Sequence, residues 1–136
     1  MARLNPYLTF NGNCTEAMHF YKETLGGELT IQLVGDSPMK DQMPPKYHSQ
    51  VLHSSLKNEG IEIMATDMVP GAFNEGNTVH LCLVCKSEKE IKTLFETLSA
   101  GGKINQPLSE MFFGLIGTLT DKYGKSWILE LDKAPQ

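Results

Sequence analysis

The feature that most constrains this chain is a repeat of one small supersecondary unit. Asn13-Cys14-Thr15-Glu16 has the form of a capping box, with an N-cap side chain and a Glu three residues on; Ser87-Glu88-Lys89-Glu90 is a second. Behind the first box, Ala17, Phe20, Tyr21 and Leu25 fall at helical spacing, and behind the second so do Ile91, Leu94, Phe95 and Leu98. Each helix runs into a glycine pair, Gly26-Gly27 and Gly101-Gly102, where a left-handed stop costs least. Caps and helix faces align at a spacing of 74 and the glycine pairs at 75, so the second unit carries one extra residue near its helix end.

Strand-like segments complete each unit. In the first, Tyr7 to Phe10 precedes the helix, Glu28 to Val34 follows it, and Gln50 to Leu56 and Ile61 to Thr66 flank the turn Asn58-Glu59-Gly60. In the second, Val79 to Val84 precedes the helix, Lys103 to Leu108 follows, and Gly114 to Thr120 and Ser126 to Leu131 flank Asp121-Lys122-Tyr123-Gly124. The order in both is β-α-β-β-β. The expected organisation is one domain over residues 1–136: unit one at about 4–68, a linker at about 67–77 with Pro70, Gly71 and Gly76, and unit two at about 78–133. Gly35 to Tyr47 holds Pro38, Pro44, Pro45, Met39 and Met43 and breaks the pattern. A loop of that length predicts a mobile flap over a pocket or interface.

Composition narrows the function classes. A length of 136 residues suits one main core, and a net charge of −4 without a basic patch argues against nucleic acid. No apolar run approaches the ~18 residues that span a bilayer, and the first residues lack a signal peptide's apolar segment, so a cytoplasmic protein is expected. Cys82 and Cys85 form a C-x-x-C inside a strand, where their thiols point to opposite faces, which argues against zinc or redox chemistry.

Several stretches resemble the PhnB-like branch of the vicinal oxygen chelate superfamily, the glyoxalase and bleomycin-resistance fold. They are Pro6-Tyr7-Leu8-Thr9-Phe10-Asn11-Gly12-Asn13-Cys14, Glu16-Ala17, Phe20-Tyr21, Leu25-Gly26-Gly27-Glu28, Val51-Leu52-His53, Met64-Ala65-Thr66-Asp67, Phe112-Phe113-Gly114, Gly117, Asp121-Lys122-Tyr123-Gly124 and Trp127. The resemblance implies an α+β fold of two tandem βαβββ units forming a curved, barrel-like mixed sheet with a central cleft, and a homodimer. It also implies a small-molecule ligand. Proteins of this branch often bear the description demethylubiquinone methyltransferase, but no Gly-rich strand-to-helix turn cradles a nucleoside cofactor here.

The superfamily places His and Glu metal ligands on the first and last strands of each unit, where a divalent ion would polarise a carbonyl. Counted from Phe20-Tyr21, the first slot falls on Pro6; its match at the helix-cap spacing is His80. The last-strand slot of unit two falls on Ile128, with Glu130 one pair further on the same face. Glu62 is the acidic candidate on the closing strand of unit one, and His53 lies on a neighbouring strand. A divalent metal held by His80 and Glu130 is the alternative; with Pro6 and Ile128 breaking the set, no cofactor is the expectation. His53 is the candidate acid–base group. Tyr7, His53, Asp67, Phe112, Phe113 and Trp127 are the candidate ligand-binding residues, with core packing as the competing role for Trp127 and turn chemistry for Asp67. No nucleophile elbow occurs, and Gly71 to Gly76 lacks the lysine of a phosphate loop, with Asn77 in its place.

Overall fold

The structure is a computed structural model that describes residues 1–132. The expected end of unit two, at residue 133, lies outside the described residues. The chain divides into two compact units, Met1–Phe73 and Asn74–Gln136. Unit one contains β1 (Tyr7–Thr9), α1 (Cys14–Leu25), β2 (Glu28–Leu33), β3 (Val51–Lys57) and β4 (Glu62–Thr66). Unit two contains β5 (Leu81–Val84), α2 (Glu88–Ser99), β6 (Lys103–Met111), β7 (Gly114–Thr120) and β8 (Ser126–Asp132). The α+β class and the tandem βαβββ order are therefore as the sequence predicts.

Each unit folds its own four-stranded mixed sheet, ordered β1-β4-β3-β2 and β5-β8-β7-β6. The first strand of each unit lies parallel to the last, and the other pairs are antiparallel. Alternation then sorts the side chains. In unit one, Ser54, Leu56, Ile63 and Ala65 are buried, as are Cys14, Ala17, Met18 and Tyr21 on α1. This helix face is set further towards the N-terminus than the one read from sequence, since Phe20 and Leu25 are only half-buried. In unit two, Leu119, Trp127, Leu129 and Leu131 are buried together with Ile91, Phe95 and Leu98 of α2, and Leu94 is half-buried.

The two helix starts differ. Ser87 forms the expected cap: its hydroxyl accepts from the Glu90 amide at 3.1 Å, and Glu90 Oε1 accepts from the Lys86 amide at 2.8 Å. Asn13 makes no side-chain cap bond. Asp67 replaces it: Oδ1 accepts from the amides of Gly12 and Cys14, both at 3.0 Å, and Oδ2 from Val51 at 2.9 Å. A carboxylate is the better partner there, because its charge also meets the positive end of the helix dipole.

The glycine pairs each combine two requirements. Gly26 and Gly101 have φ of 77° and 76° and end the helices. A Cβ on Gly27 would sit 2.5 Å from the Lys57 carbonyl oxygen, and one on Gly102 only 2.2 Å from that of Thr120. The second glycine of each pair thus lets the chain lie against the turn end of its own hairpin.

The 35–47 segment is a loop between β2 and β3, as the sequence predicts. It winds through three short 3-10 turns at Val34–Asp36, Lys40–Gln42 and Pro45–Tyr47. His48 Nε2 reaches the carbonyls of Lys40 at 2.9 Å and Met43 at 3.0 Å, tying the middle turn to the exit of the segment. Both units claim parts of the expected linker: Asp67 is built into unit one, and Glu75 pairs with Lys125 of unit two at 2.8 Å. Among the described residues, no helix is long and apolar enough to cross a membrane.

Candidate functional site

The face of the unit-one sheet that is turned away from α1 carries two of the candidate residues, Tyr7 and His53. In unit one the ladders set Gln32 beside His53, Thr30 beside Ser55, Ser55 beside Met64, and Tyr7 beside Met64. Paired residues share a face. Tyr7 and His53 meet on it: Tyr7 Oη lies 3.0 Å from His53 Nδ1, with ring centroids 5.7 Å apart. Both are exposed, and nearby the hydroxyls of Thr30 and Ser55 are 3.3 Å apart. Burial, and then the coulombic influence of Cys14, hold the Tyr7 phenol above its ordinary value, so it is a neutral hydroxyl at physiological pH. With His53 in its Nε2–H tautomer, that hydroxyl donates to Nδ1 and the imidazole presents Nε2–H outward.

Other candidates have structural partners. Asp67 is 5% exposed and both its oxygens hold backbone amides. Trp127 is 1% exposed, and its Nε1 donates to Asp121 Oδ2 at 2.8 Å. Phe112 and Phe113 form the turn between β6 and β7 and pack edge to face at 5.2 Å; Phe112 is 99% exposed. His19 is exposed and its Nδ1 lies 2.8 Å from the Thr15 carbonyl.

The ladders change the equivalence that the helix caps suggest. The amide of Phe10 bonds the Thr66 carbonyl, and the amide of Cys85 bonds that of Glu130. Phe10 and Cys85, both buried, are therefore counterparts, 75 residues apart, while the N-caps Asn13 and Ser87 are 74 apart. Unit one holds one more residue between first strand and helix, and unit two regains it with Ala100 between α2 and its glycine pair. His80 is consequently the counterpart of Asn5, and the pairing of Pro6 with His80 is corrected. The helix spacing cannot be carried back through a turn of different length.

The same registers separate the metal candidates. Leu81 pairs with Trp127 and Val84 with Glu130, so His80 stands level with Ser126, about four residues and ~13 Å of strand from Glu130. Glu62 is engaged by the Arg3 guanidinium at 2.9 Å and by the Asn5 amide nitrogen, with Lys57 at 3.7 Å. Among the described residues, no three His, Cys, Asp or Glu side chains come together in a way that could hold a metal ion. Cys82 is exposed and Cys85 buried, as opposite strand faces require; burial, helped by Glu90 and Cys82, pushes the Cys85 thiol up to about 11.

One feature escaped the sequence reading: an open cavity of about 630 Å³ in unit two, at the turn end of the β7–β8 hairpin, with His80, Lys103, Lys122 and Ser126 among its lining residues. Its residues come from three separate segments, and no spacing rule joins them.

Known proteins match this chain along nearly its whole length. The family model described as 3-demethylubiquinone-9 3-methyltransferase matches residues 2–130. Protein YjdN of Escherichia coli (strain K12) is 31% identical over 140 residues, covering 96% of this chain and 95% of YjdN. The crystal structure of PA1353 from Pseudomonas aeruginosa is 32% identical, covers 97% of this chain and 98% of its own, and has a TM-score of 0.86. A Bacillus cereus structure described as a putative 3-demethylubiquinone-9 3-methyltransferase, PhnB protein, is also 32% identical, with coverage of 96% and 99% and a TM-score of 0.79. At 20% identity the fold recurs in a glyoxylase/bleomycin resistance protein/dioxygenase domain from Frankia sp. EAN1pec, with coverage of 98% of each chain and a TM-score of 0.63. Sequence and fold together make this chain a member of the PhnB-like family described as 3-demethylubiquinone-9 3-methyltransferase, with a fold that is shared by glyoxalase/bleomycin resistance/dioxygenase proteins.

Proposed function

We propose that the chain binds a small organic molecule on the helix-free face of the unit-one sheet, without an essential metal, with Tyr7 and His53 as its polar anchor. The observation that carries this reading is the exposed 3.0 Å contact between Tyr7 Oη and His53 Nδ1. Two ring groups that fix each other's orientation form a pre-organised donor–acceptor pair, and an ordered pair loses less entropy when a ligand arrives. Thr30, Ser55 and Gln32 extend the polar surface, and Met64 gives it an apolar patch. In its Nε2–H tautomer His53 donates a hydrogen bond from Nε2 to a bound carbonyl; in the other, with Nδ1–H donating to Tyr7 Oη, Nε2 would take a proton from a bound hydroxyl. The reading without an essential metal is supported by the engagement of Glu62 with Arg3 and by the ladder, which sets His80 and Glu130 about four strand positions apart. Methyl transfer is no part of the proposal, since neither mixed sheet is doubly wound.

The test has two arms. The protein is purified anaerobically without chelator and assayed for metals; less than one tenth of an ion per chain is expected. One firmly bound ion per chain would favour a metal-dependent lyase, isomerase or dioxygenase instead. A panel of small polar organic molecules is then screened by ligand-observed NMR. Tyr7→Phe should weaken any hit several-fold and His53→Ala should abolish it, and hits indifferent to both would refute the anchor. The same proposal has the chain working as a cytoplasmic homodimer. The exposed Cys82 thiol suits a reducing compartment, and the exposed Val84 and Phe112 supply apolar contact area. Light scattering checks the dimer.

A further inference from the structure

We propose that the cavity in unit two is a second site, separate from Tyr7–His53, that takes an oxyanion: the carboxylate or phosphate of a small organic molecule. Its volume of about 630 Å³ lies in the range of small-molecule sites. Its lining is unlike an ordinary ligand pocket, because it contains no apolar side chain apart from the glycines. Lys103, Lys122, His80, Asn77, Asn105 and Ser126 supply ammonium, imidazole, amide and hydroxyl donors from separate segments of the unit. Asp121 is the single acid in the lining. It is 3% exposed, and its oxygens accept from the amides of Tyr123 and Lys125 and from Trp127 Nε1. Its charge is thereby spread over three donors inside the unit; Glu75, whose Oε1 lies beside the lining Gly124, pairs with Lys125 at 2.8 Å, and the cations in the lining are Lys103 and Lys122, the latter with its ammonium 5.4 Å from the Tyr123 ring.

The internal repeat supplies an independent argument. In unit one the same end of the sheet is set by Glu28 paired with Lys57 and Lys57 paired with Glu62. In unit two the corresponding positions are Lys103 with Thr120 and Thr120 with Ser126. Two glutamates have become a lysine and a serine. Unit one draws Arg3 and Lys57 onto Glu62 there, whereas unit two offers donors around an open cavity. Local contacts position those donors. The Lys122 stem passes over Gly101, where a Cβ would meet its Cδ at 3.3 Å. Asn105 Nδ2 donates to Thr120 Oγ1 at 3.0 Å, so the Thr120 hydroxyl proton is left to donate onward. In a chain of net charge −4, such a concentration of donors selects for negative charge.

The experiment titrates the full-length, 15N-labelled chain with inorganic phosphate and, separately, with acetate, at constant ionic strength. Saturating amide shifts are expected on Gly101 to Lys103 and on Lys122 to Ser126. Lys103→Gln and Lys122→Gln should each weaken binding about tenfold, as loss of one charge-assisted contact implies. Lys89→Gln, on α2 and outside the cavity, should leave it within twofold. Circular dichroism confirms that each variant is folded. Saturation by either anion supports the site, and the tighter one identifies the group it takes. Shifts that fail to saturate with both, that spread over the lysines generally, or that persist in both cavity variants overturn it.

Discussion

Replacing Asp67 tests whether the first helix is held from outside its own sequence. Three backbone amides depend on this side chain: Gly12 and Cys14 at 3.0 Å on one oxygen, and Val51 at 2.9 Å on the other. Hydrogen bonds to a charged group contribute about 1.5–3 kcal/mol each, and a buried donor left without a partner costs about 1–3 kcal/mol. Water can reach the part-buried Gly12 contact, but the Cys14 and Val51 contacts are buried. Asp67→Ala should therefore cost about 3–5 kcal/mol, including loss of a negative charge at the start of α1. Asp67→Asn keeps an oxygen for the helix pair but turns an NH2 towards the Val51 amide, one mismatched contact of about 2 kcal/mol. With a urea slope of about 2 kcal/mol/M, the two variants should unfold about 2 M and 1 M earlier than the parent chain. Far-UV circular dichroism reads the midpoints. Amide exchange at Gly12, Cys14 and Val51 reads the local effect, and should speed up at Val51 in the Asn variant and at all three in the Ala variant. If Asp67→Asn lies within about 0.5 kcal/mol of the parent, or Asp67→Ala is no worse than Asn, the three-amide account is wrong.

Three further outcomes follow from the packing. Gly102→Ala should destabilise by about 2–3 kcal/mol, since its Cβ would sit 2.2 Å from the Thr120 carbonyl, whereas Gly60→Ala, with nothing within 4 Å, should stay within about 0.5 kcal/mol; chemical denaturation compares them. Trp127→Phe removes the donor to Asp121 Oδ2 and should cost about 1–3 kcal/mol, and the double variant with Asp121→Asn should cost less than the two single variants sum to; a double-mutant cycle measures the coupling. Cys85, pushed by burial from an ordinary thiol value near 9 up to about 11, should react with iodoacetamide at pH 8 far more slowly than the exposed Cys82. Because the folded value is the higher one, the folded chain holds its proton longer than the unfolded chain. Stability from this group is complete below about pH 9 and is lost as pH rises towards 11, so a Cys85→Ala variant should lose less stability over that window than the parent.

Much of the scaffold is legible in the sequence because its signals are local. The Ser87 cap, the Ile91-Phe95-Leu98 face and the hairpin strands Gly114 to Thr120 and Ser126 to Leu131 each follow from a short-range rule and are present, the last running one residue further to Asp132. Asn13 carries the same local signal as Ser87, yet its role passes to Asp67, 54 residues further on. Only the fold brings the end of β4 to the start of α1, so no rule about neighbouring residues could reveal it. The polar contact of Tyr7 with His53 is of the same kind: each residue is recognisable as a candidate, but their meeting depends on β1 pairing with β4 and β4 with β3.

The phase between elements is the quantity that a repeat hides. The helices match at 74 residues and the first strands at 75, because unit one has an extra residue before its helix and unit two an extra residue, Ala100, after it. The two changes cancel, so the sheets keep equivalent registers and the glycine pairs again meet their hairpins in the same way. Yet a one-residue error along a strand moves a side chain to the opposite face. Taken from the helix, the counterpart of His80 is Pro6, which has no ligating group; taken from the sheet, it is Asn5, whose amide already serves Glu62. The two units thus differ at this end by replacement of working polar groups. Unit one is closed by Arg3, Asn5, Lys57 and Glu62, and unit two is open around His80, Lys103 and Ser126. A duplicated scaffold can thus keep one end closed by ion pairs and leave the other open, and each end can change without disturbing the caps and glycines that hold its own unit together.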